Sequence, residues 1–176
     1  MVHLTITNLV ATGHIGHNVD LQQIAKLPHI RFDSKIYRCA YVKTPTMHST
    51  VSVFRTCKMI STGTKSESDA RHDLQEVSKY YDREKILNMD DAGFKLQNLI
   101  LVGELEARID LNKLYGMLGN AMFEPEQFPG IIHYLPNHPN VSILLFQSGK
   151  CVVAGIRNTN QIREIKTYLE GIERLK

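Results

Sequence analysis

Apolar and polar residues alternate through Leu4-Thr5-Ile6-Thr7, through Val51-Ser52-Val53-Phe54, and through Lys58-Met59-Ile60-Ser61-Thr62. A period of two is what a strand needs when one of its faces is buried. The second and third segments are separated only by Arg55-Thr56-Cys57 and predict a hairpin. Aromatic and β-branched residues between Ile36 and Val42 predict another strand. The period then lengthens. Asp20 to Lys26 predicts a short helix stopped by Pro28, whose ring and missing N–H oppose continuation. A longer helix is predicted from Ser66, where Ser66 and Asp69 form a serine–acid cap and Ala70, Leu74, Val77 and Tyr81 share one face. Near the C-terminus, a cap at Thr159 or Asn160 precedes Ile162, Ile165, Leu169, Ile172 and Leu175 at helical spacing.

The pattern occurs twice. Asn8-Leu9-Val10 recurs as Asn98-Leu99-Ile100, and Asp20-Leu21 with Ile24 recurs as Asp110-Leu111 with Leu114. Phe54, Lys58 and Gly63 recur in the same order as Phe146, Lys150 and Gly155. An ordered series at nearly constant offset points to a duplicated unit, residues 1–88 and 89–176, with its junction near Asn88 to Gly93. Each unit offers several antiparallel strands and a long C-terminal helix, an α+β plan. A sheet covered by helices on one face leaves the other with few partners. Alternation puts Asn8 with Val10, Ser52 with Phe54, and Ile60 with Thr62 on one side of the first unit. The matching sets in the second are Asn98 with Ile100, Leu144 with Phe146, and Val152 with Ala154. Covered core and ligand-binding face are both open readings of this surface. The amides weigh against core, because a buried amide without partners costs about 1–3 kcal/mol.

Composition narrows the classes. The 176 residues are 43% hydrophobic and 22% charged, which argues against disorder. The formal charge of +3 is unevenly spread: residues 1–88 carry 12 basic and 8 acidic side chains, residues 89–176 carry 9 and 10. An anionic partner is thus permitted without being required. Cys39, Cys57 and Cys151 form no CxxC and cannot all pair, which fits a reducing compartment. No apolar run approaches the roughly 18 residues of a membrane span, and the start lacks the pattern of a signal peptide. A soluble intracellular chain is expected, with no membrane partner. No metal or cofactor is expected either: His14 and His17 have no further ligand at recognised zinc spacing, and Gly13 with Gly16 lacks the βαβ context of a dinucleotide fingerprint. No nucleophile elbow supports a catalytic triad, so no enzyme is predicted.

The segment Phe123-Glu124-Pro125-Glu126-Gln127-Phe128-Pro129-Gly130-Ile131-Ile132 resembles the signature of the TATA-box-binding protein family. Gln97-Asn98-Leu99-Ile100, Phe146-Gln147-Ser148-Gly149-Lys150 and Thr62-Gly63-Thr64-Lys65-Ser66-Glu67 also fall where that family carries matching stretches. The resemblance runs from about Leu4 to Lys176 and includes the duplication. It implies an α+β saddle: two pseudo-symmetric repeats form one curved antiparallel sheet, with helices on the convex face and A/T-rich promoter DNA against the concave one. It further implies a general transcription initiation factor that binds and bends that DNA through the minor groove, a mechanism for which this family is the standard example. A diverged relative with relaxed DNA preference, acting mainly through protein partners, is the alternative.

The resemblance assigns roles. Asn8 and Asn98 match paired asparagines that donate to minor-groove acceptors, which A·T and T·A pairs both display and which G·C obstructs with an amine. Val10, Ile60, Thr62, Ile100, Leu144, Val152 and Ala154 would line the groove floor. Phe128 and Phe146 match one pair of kinking wedges and Phe54 one member of the other pair. Tyr37 falls where the fourth phenylalanine would sit. Lys35, Lys43, Lys58, Lys65 and Lys150 are the candidate phosphate contacts, which position the complex and set its salt dependence. Arg31, Arg38, Arg55 and Arg157 are weaker candidates. Glu124, Pro125 and Glu126 match the loop contacted by transcription factor IIB-like proteins, and the hairpin end from Arg55 to Lys58 resembles a transcription factor IIA-like site. RNA-polymerase-associated factors, and self-association through the apolar face when DNA is absent, complete the implied partners. Localisation would be the nucleus in a eukaryote and otherwise the nucleoid in the cytoplasm.

Four positions depart from the family pattern. Ala154 replaces a threonine, Ser52 a bulky aliphatic residue, Cys57 the turn glycine retained as Gly149, and His133 an arginine expected to touch phosphate. If the Cys57 turn requires positive φ, it stores about 1 kcal/mol of strain or more.

Overall fold

Strand alternation and two helical periods organise the chain, described here as a computed structural model over residues 2–16, 18–81 and 93–175. The first strand, β1, runs His3–His14 and is followed by helix α1, Leu21–Ile24. Strands β2 (Ile30–Arg31), β3 (Cys39–Val42), β4 (Thr50–Phe54) and β5 (Lys58–Thr64) lead to helix α2, Glu67–Tyr81. The plan then repeats: β6 (Lys95–Glu104), α3 (Leu111–Met117), β7 (Ala121–Met122), β8 (Gly130–Tyr134), β9 (Ser142–Phe146), β10 (Lys150–Ile156) and α4 (Gln161–Glu173). The ten strands make one sheet in the order β2-β3-β4-β5-β1-β6-β10-β9-β8-β7. This is the α+β plan expected.

By compactness the chain forms two units, Asn8–Gln97 and the pair of segments Met1–Thr7 with Asn98–Lys176. The sequence junction expected near Asn88 to Gly93 falls almost wholly outside the described residues. In the second unit the N-terminal segment is held closely: Thr7 Oγ1 donates to the Ile100 carbonyl at 3.3 Å. A Cβ on Gly103 would lie 2.5 Å from Leu4 Cδ2 and 2.8 Å from the His3 carbonyl oxygen, so only glycine permits this approach.

Backbone hydrogen bonds carry the repeat to the level of single turns. The Cys57 N–H donates to the Phe54 carbonyl at 3.0 Å, and the Gly149 N–H to that of Phe146 at 2.9 Å. The Tyr37 N–H donates to Asp33 and the Phe128 N–H to Glu124, at 2.7 and 2.9 Å. Asp20 and Asp110 cap their short helices in the same way: Asp20 Oδ1 accepts the Gln22 N–H at 2.9 Å and Asp110 Oδ1 the Lys113 N–H at 3.1 Å. Ser66 caps α2 as predicted, its Oγ accepting the Asp69 N–H at 3.0 Å.

One face of each unit's strands meets helix. In the first, Ala40, Val42, Val51, Val53 and Met59 are buried with Leu74 and Val77 of α2. In the second, Leu99, Leu101, Ile131, Ile143, Leu145 and Val153 are buried, as are Ile165, Leu169 and Ile172 of α4. Removing such side chains from water supplies roughly 1.5–3 kcal/mol each. Asp73, fully buried on α2, fixes the loop before β4: one carboxylate oxygen accepts the His48 N–H at 2.8 Å, and the other accepts Ser49 N–H and Oγ–H, each at 2.7 Å.

Three expectations are corrected. The strand predicted from Ile36 starts at Cys39, because Asp33 folds residues 33–37 into a turn, accepting the Lys35 N–H on its side chain at 2.9 Å and the Ile36 and Tyr37 N–H groups on its carbonyl. Asn160 caps α4 without a side-chain bond; Asn158 and Gln161 carboxamide oxygens take the local N–H groups instead. Leu175, placed on the apolar face of that helix, is exposed because the helix ends at Glu173.

Candidate nucleic-acid interface

The remaining face of the strands is where the expected site residues stand. Register aligns Tyr41, Ser52, Ile60 and Thr12 across β3, β4, β5 and β1 in the first unit. It aligns Ile132, Leu144, Val152 and Val102 across β8, β9, β10 and β6 in the second. Asn8, Val10, Phe54 and Ile60 are half-buried and Thr62 is exposed; Asn98, Ile100, Leu144, Phe146, Val152 and Ala154 are half-buried. Their neighbours one residue away, including Leu9, Val53, Met59, Leu99, Leu145 and Val153, have no exposure. The site residues thus share the helix-free side of their strands. Tyr41, Val102, Ile132 and Tyr134 belong to the same face and were not singled out from the sequence, although Val102 and Ile132 follow Ile100 and Gly130 at the strand period.

The two amides differ. Asn98 Oδ1 accepts the Gly155 N–H at 2.9 Å, which fixes the carboxamide and leaves its NH2 as the group for an outside acceptor. Asn8 has no side-chain hydrogen bond among the described residues. A neighbouring pair is closed within the first unit: Gln97 Nε2 donates to Thr12 Oγ1 at 2.8 Å.

The aromatic groups differ as well. Phe128 and Phe146 lie 5.6 Å apart between ring centroids and are tilted by 60°. Gly130, opposite Phe146 in the ladder, makes room for them: a Cβ there would sit 3.1 Å from each ring and 2.7 Å from the Leu145 carbonyl oxygen. In the first unit Cys39 occupies the position opposite Phe54. Tyr37 packs instead edge-on against Tyr41, with centroids 5.2 Å apart. The Arg31 guanidinium lies 5.4 and 5.9 Å from these two rings, and its Nη2 donates to Tyr37 Oη at 3.1 Å. The Cys39 thiol beside it, reinforced by burial, raises the Tyr41 phenol above its ordinary range, against the pull of Arg31.

Tyr41 also answers the Ser52 departure: the phenol ring stands opposite the small serine, where the second unit has Ile132 opposite Leu144. Cys57 does adopt positive φ, 62° beside 93° for Gly149, so the strain foreseen for that turn is present. The phosphate contact counted as lost at position 133 is absent for a further reason, the orientation of the position itself. Alternation turns His133 to the helix side, 1% exposed, stacked on Tyr168 and 2.6 Å from the Tyr168 hydroxyl, where no phosphate can reach it. Burial lowers its pKa, partly offset by the backbone of Asn120 and Gly119.

Lys35, Lys58, Lys65 and Lys150 are exposed. Lys43 is also exposed, yet its Nζ donates to the Met47 carbonyl at 2.6 Å, which occupies one of its three donors. Glu124, Pro125 and Glu126 form an exposed turn beside Phe123, whose ring rests 5.9 Å from that of Tyr115. The turn flanks a groove of about 600 Å³ lined by Arg108, Asp110, Phe123, Pro125 and Gln147. Burial pushes the Cys151 thiol up to about 11, leaving it un-ionised and inert as a ligand near neutrality. His17, one of the two histidines weighed for metal, lies outside the described residues.

These features recur in known proteins. The family model described as "Transcription factor TFIID (or TATA-binding protein, TBP)" matches residues 3–80 and 93–175. The TATA-box-binding protein of Archaeoglobus fulgidus is 34% identical over 164 residues, covering 92% of this chain and 89% of the relative. That of Pyrobaculum calidifontis is 34% identical over 158 residues, covering 89% and 79%. The solved structure of Methanococcus jannaschii TBP superposes with a TM-score of 0.78 at 26% identity, over 98% of this chain and 99% of that one. Two matched repeats, the signature turn and the shared fold agree: the chain belongs to the TATA-binding protein family.

Proposed function

We propose that this chain is a general transcription initiation factor that binds A/T-rich promoter DNA through the minor groove, bends it, and then recruits a transcription factor IIB-like protein. The observation that carries this reading is the shared placement of Asn8, Val10, Phe54 and Ile60, and of Asn98, Ile100, Phe146 and Val152, on the helix-free faces of their strands. Apolar side chains there match a groove floor with no exocyclic amine, and the oriented Asn98 NH2 matches adenine N3 or thymine O2. Phe54, Phe128 and Phe146 serve as wedges that replace lost base stacking. Lys35, Lys58, Lys65 and Lys150 contact phosphates, with Lys43 in a lesser part. Glu124, Pro125 and Glu126 receive the basic IIB-like partner, and the work requires no catalysis by the chain. The duplication into residues 1–88 and 89–176 gives each repeat its own set of DNA-contacting residues. The archaeal relatives favour action at the nucleoid.

DNase protection combined with bend measurement on an A/T-rich promoter duplex, with and without a IIB-like protein, tests the reading. Protection, a bend and a supershift are expected; no protection at low salt overturns it. The diverged, partner-dependent reading is favoured by Ser52, Ala154 and the Tyr37 arrangement. It predicts a small affinity ratio between A/T-rich and G/C-rich duplexes at one salt concentration, whereas the strict reading predicts a ratio of about 10³ or more.

A further inference from the structure

A phenyl wedge works only if it is free to enter a base step and carries no polar group that the step would strand. The two units differ on both counts. In the second, Gly130 leaves the space in which Phe128 and Phe146 stand together. In the first, the position paired with Phe54 carries the Cys39 side chain instead of a hydrogen. Tyr37 lies against Tyr41, and its hydroxyl is satisfied by Arg31, whose guanidinium also sits by both rings. Entering a base step would break that hydrogen bond and leave the Tyr37 hydroxyl without a partner between the bases.

Resting on the DNA-binding reading above, we propose that the wedges are unequal: Phe128 and Phe146 kink the duplex as a preformed pair, while Phe54 acts without Tyr37, which Arg31 and Tyr41 latch aside. The bend is then concentrated at the base step engaged by the second unit, and the side chain at position 39 selects between a paired and a single wedge. The latch makes the two half-sites of a binding sequence inequivalent. The half-site under the second unit needs a readily unstacked pyrimidine–purine step, and the other tolerates stiffer sequence.

Energy transfer between dyes at the ends of an A/T-rich duplex measures the test. Phe128→Ala is expected to remove more than half of the wild-type bend, and Tyr37→Ala less than a third of what Phe128→Ala removes. The double variant Arg31→Ala/Cys39→Gly, which opens the latch, is expected to increase the bend; it decides the matter if Tyr37→Ala melts below the assay temperature. Equal losses for Tyr37→Ala and Phe128→Ala, or no gain in the double variant, overturn the inference and leave the DNA reading standing. A wild-type chain that neither protects nor bends the duplex overturns both.

Discussion

Asn98 Oδ1 accepts the backbone N–H of Gly155 at 2.9 Å, so the strand next to it dictates which end of the carboxamide faces outward. Asn98→Asp keeps an acceptor for Gly155 but replaces the outward donor with an anionic oxygen. Thermal stability should remain close to wild type. Affinity for A/T-rich duplex should fall by more than about tenfold, since a lost hydrogen bond costs about 1 kcal/mol and repulsion by the groove acceptors adds to it. Fluorescence anisotropy at fixed salt, alongside a melting curve, checks both halves.

Gly130→Ala should be costly despite its small size. The added methyl meets the Leu145 carbonyl oxygen at 2.7 Å and the rings of Phe128 and Phe146 at 3.1 Å. Relief requires displacing backbone or splitting the ring pair, at about 1–3 kcal/mol. Urea unfolding should show that loss, and a bend assay should show reduced curvature of the duplex.

Cys57→Gly should act in the opposite direction. Cys57 holds φ at 62°, a region that costs an L-residue roughly 1–2 kcal/mol and glycine nothing. Part of the gain is offset by the larger entropy glycine has in the unfolded chain, about 0.5–1 kcal/mol. A net stabilisation of about 0.5–1 kcal/mol is expected in urea unfolding. A destabilised variant would falsify the strain argument.

His133 gives the fold a dependence on acidity. Its pKa is lowered by burial, so the unfolded chain binds a proton more readily than the native one. The contribution of this site to stability is therefore complete above the ordinary histidine range, near pH 6.5, and lost as pH falls below it. Melting temperature should drop between about pH 7.5 and about pH 5.5, and His133→Phe should flatten that drop. An unchanged slope in the variant would assign the acid sensitivity to other groups.

Much of this was legible because strand pairing converts residue order into facing direction. Alternation alone puts Asn8, Phe54, Asn98 and Phe146 on the same side of their strands, the family resemblance leaves that side free of helix, and the doubled pattern tells where to look for each counterpart. What stayed hidden depended on side chains meeting across strands. No local pattern in the sequence says that Arg31 reaches Tyr37 and Tyr41, or that the Asn98 amide is spoken for by Gly155. Position 133 is a related case: the arginine it replaces is the residue expected to touch phosphate, and His133 counts as a lost contact. Family correspondence supplied a role, but the strand's phase, visible in buried Ile131 and half-buried Ile132, turns it away from any DNA. The turn at residues 33–37 was missed because its β-branched and aromatic residues mask an aspartate whose carbonyl and carboxylate both gather N–H groups.

The division of the chain into Asn8–Gln97 and Met1–Thr7 with Asn98–Lys176 has a consequence for biosynthesis. Met1–Thr7 is translated well before Asn98–Lys176, with which it shares a unit, so the stretch around Leu4 and Ile6 meets that partner only after the whole intervening unit has been made. The unit that contains Met1–Thr7 is thus completed last, and a nascent chain arrested before Asn98 leaves Leu4 and Ile6 without that part of their unit.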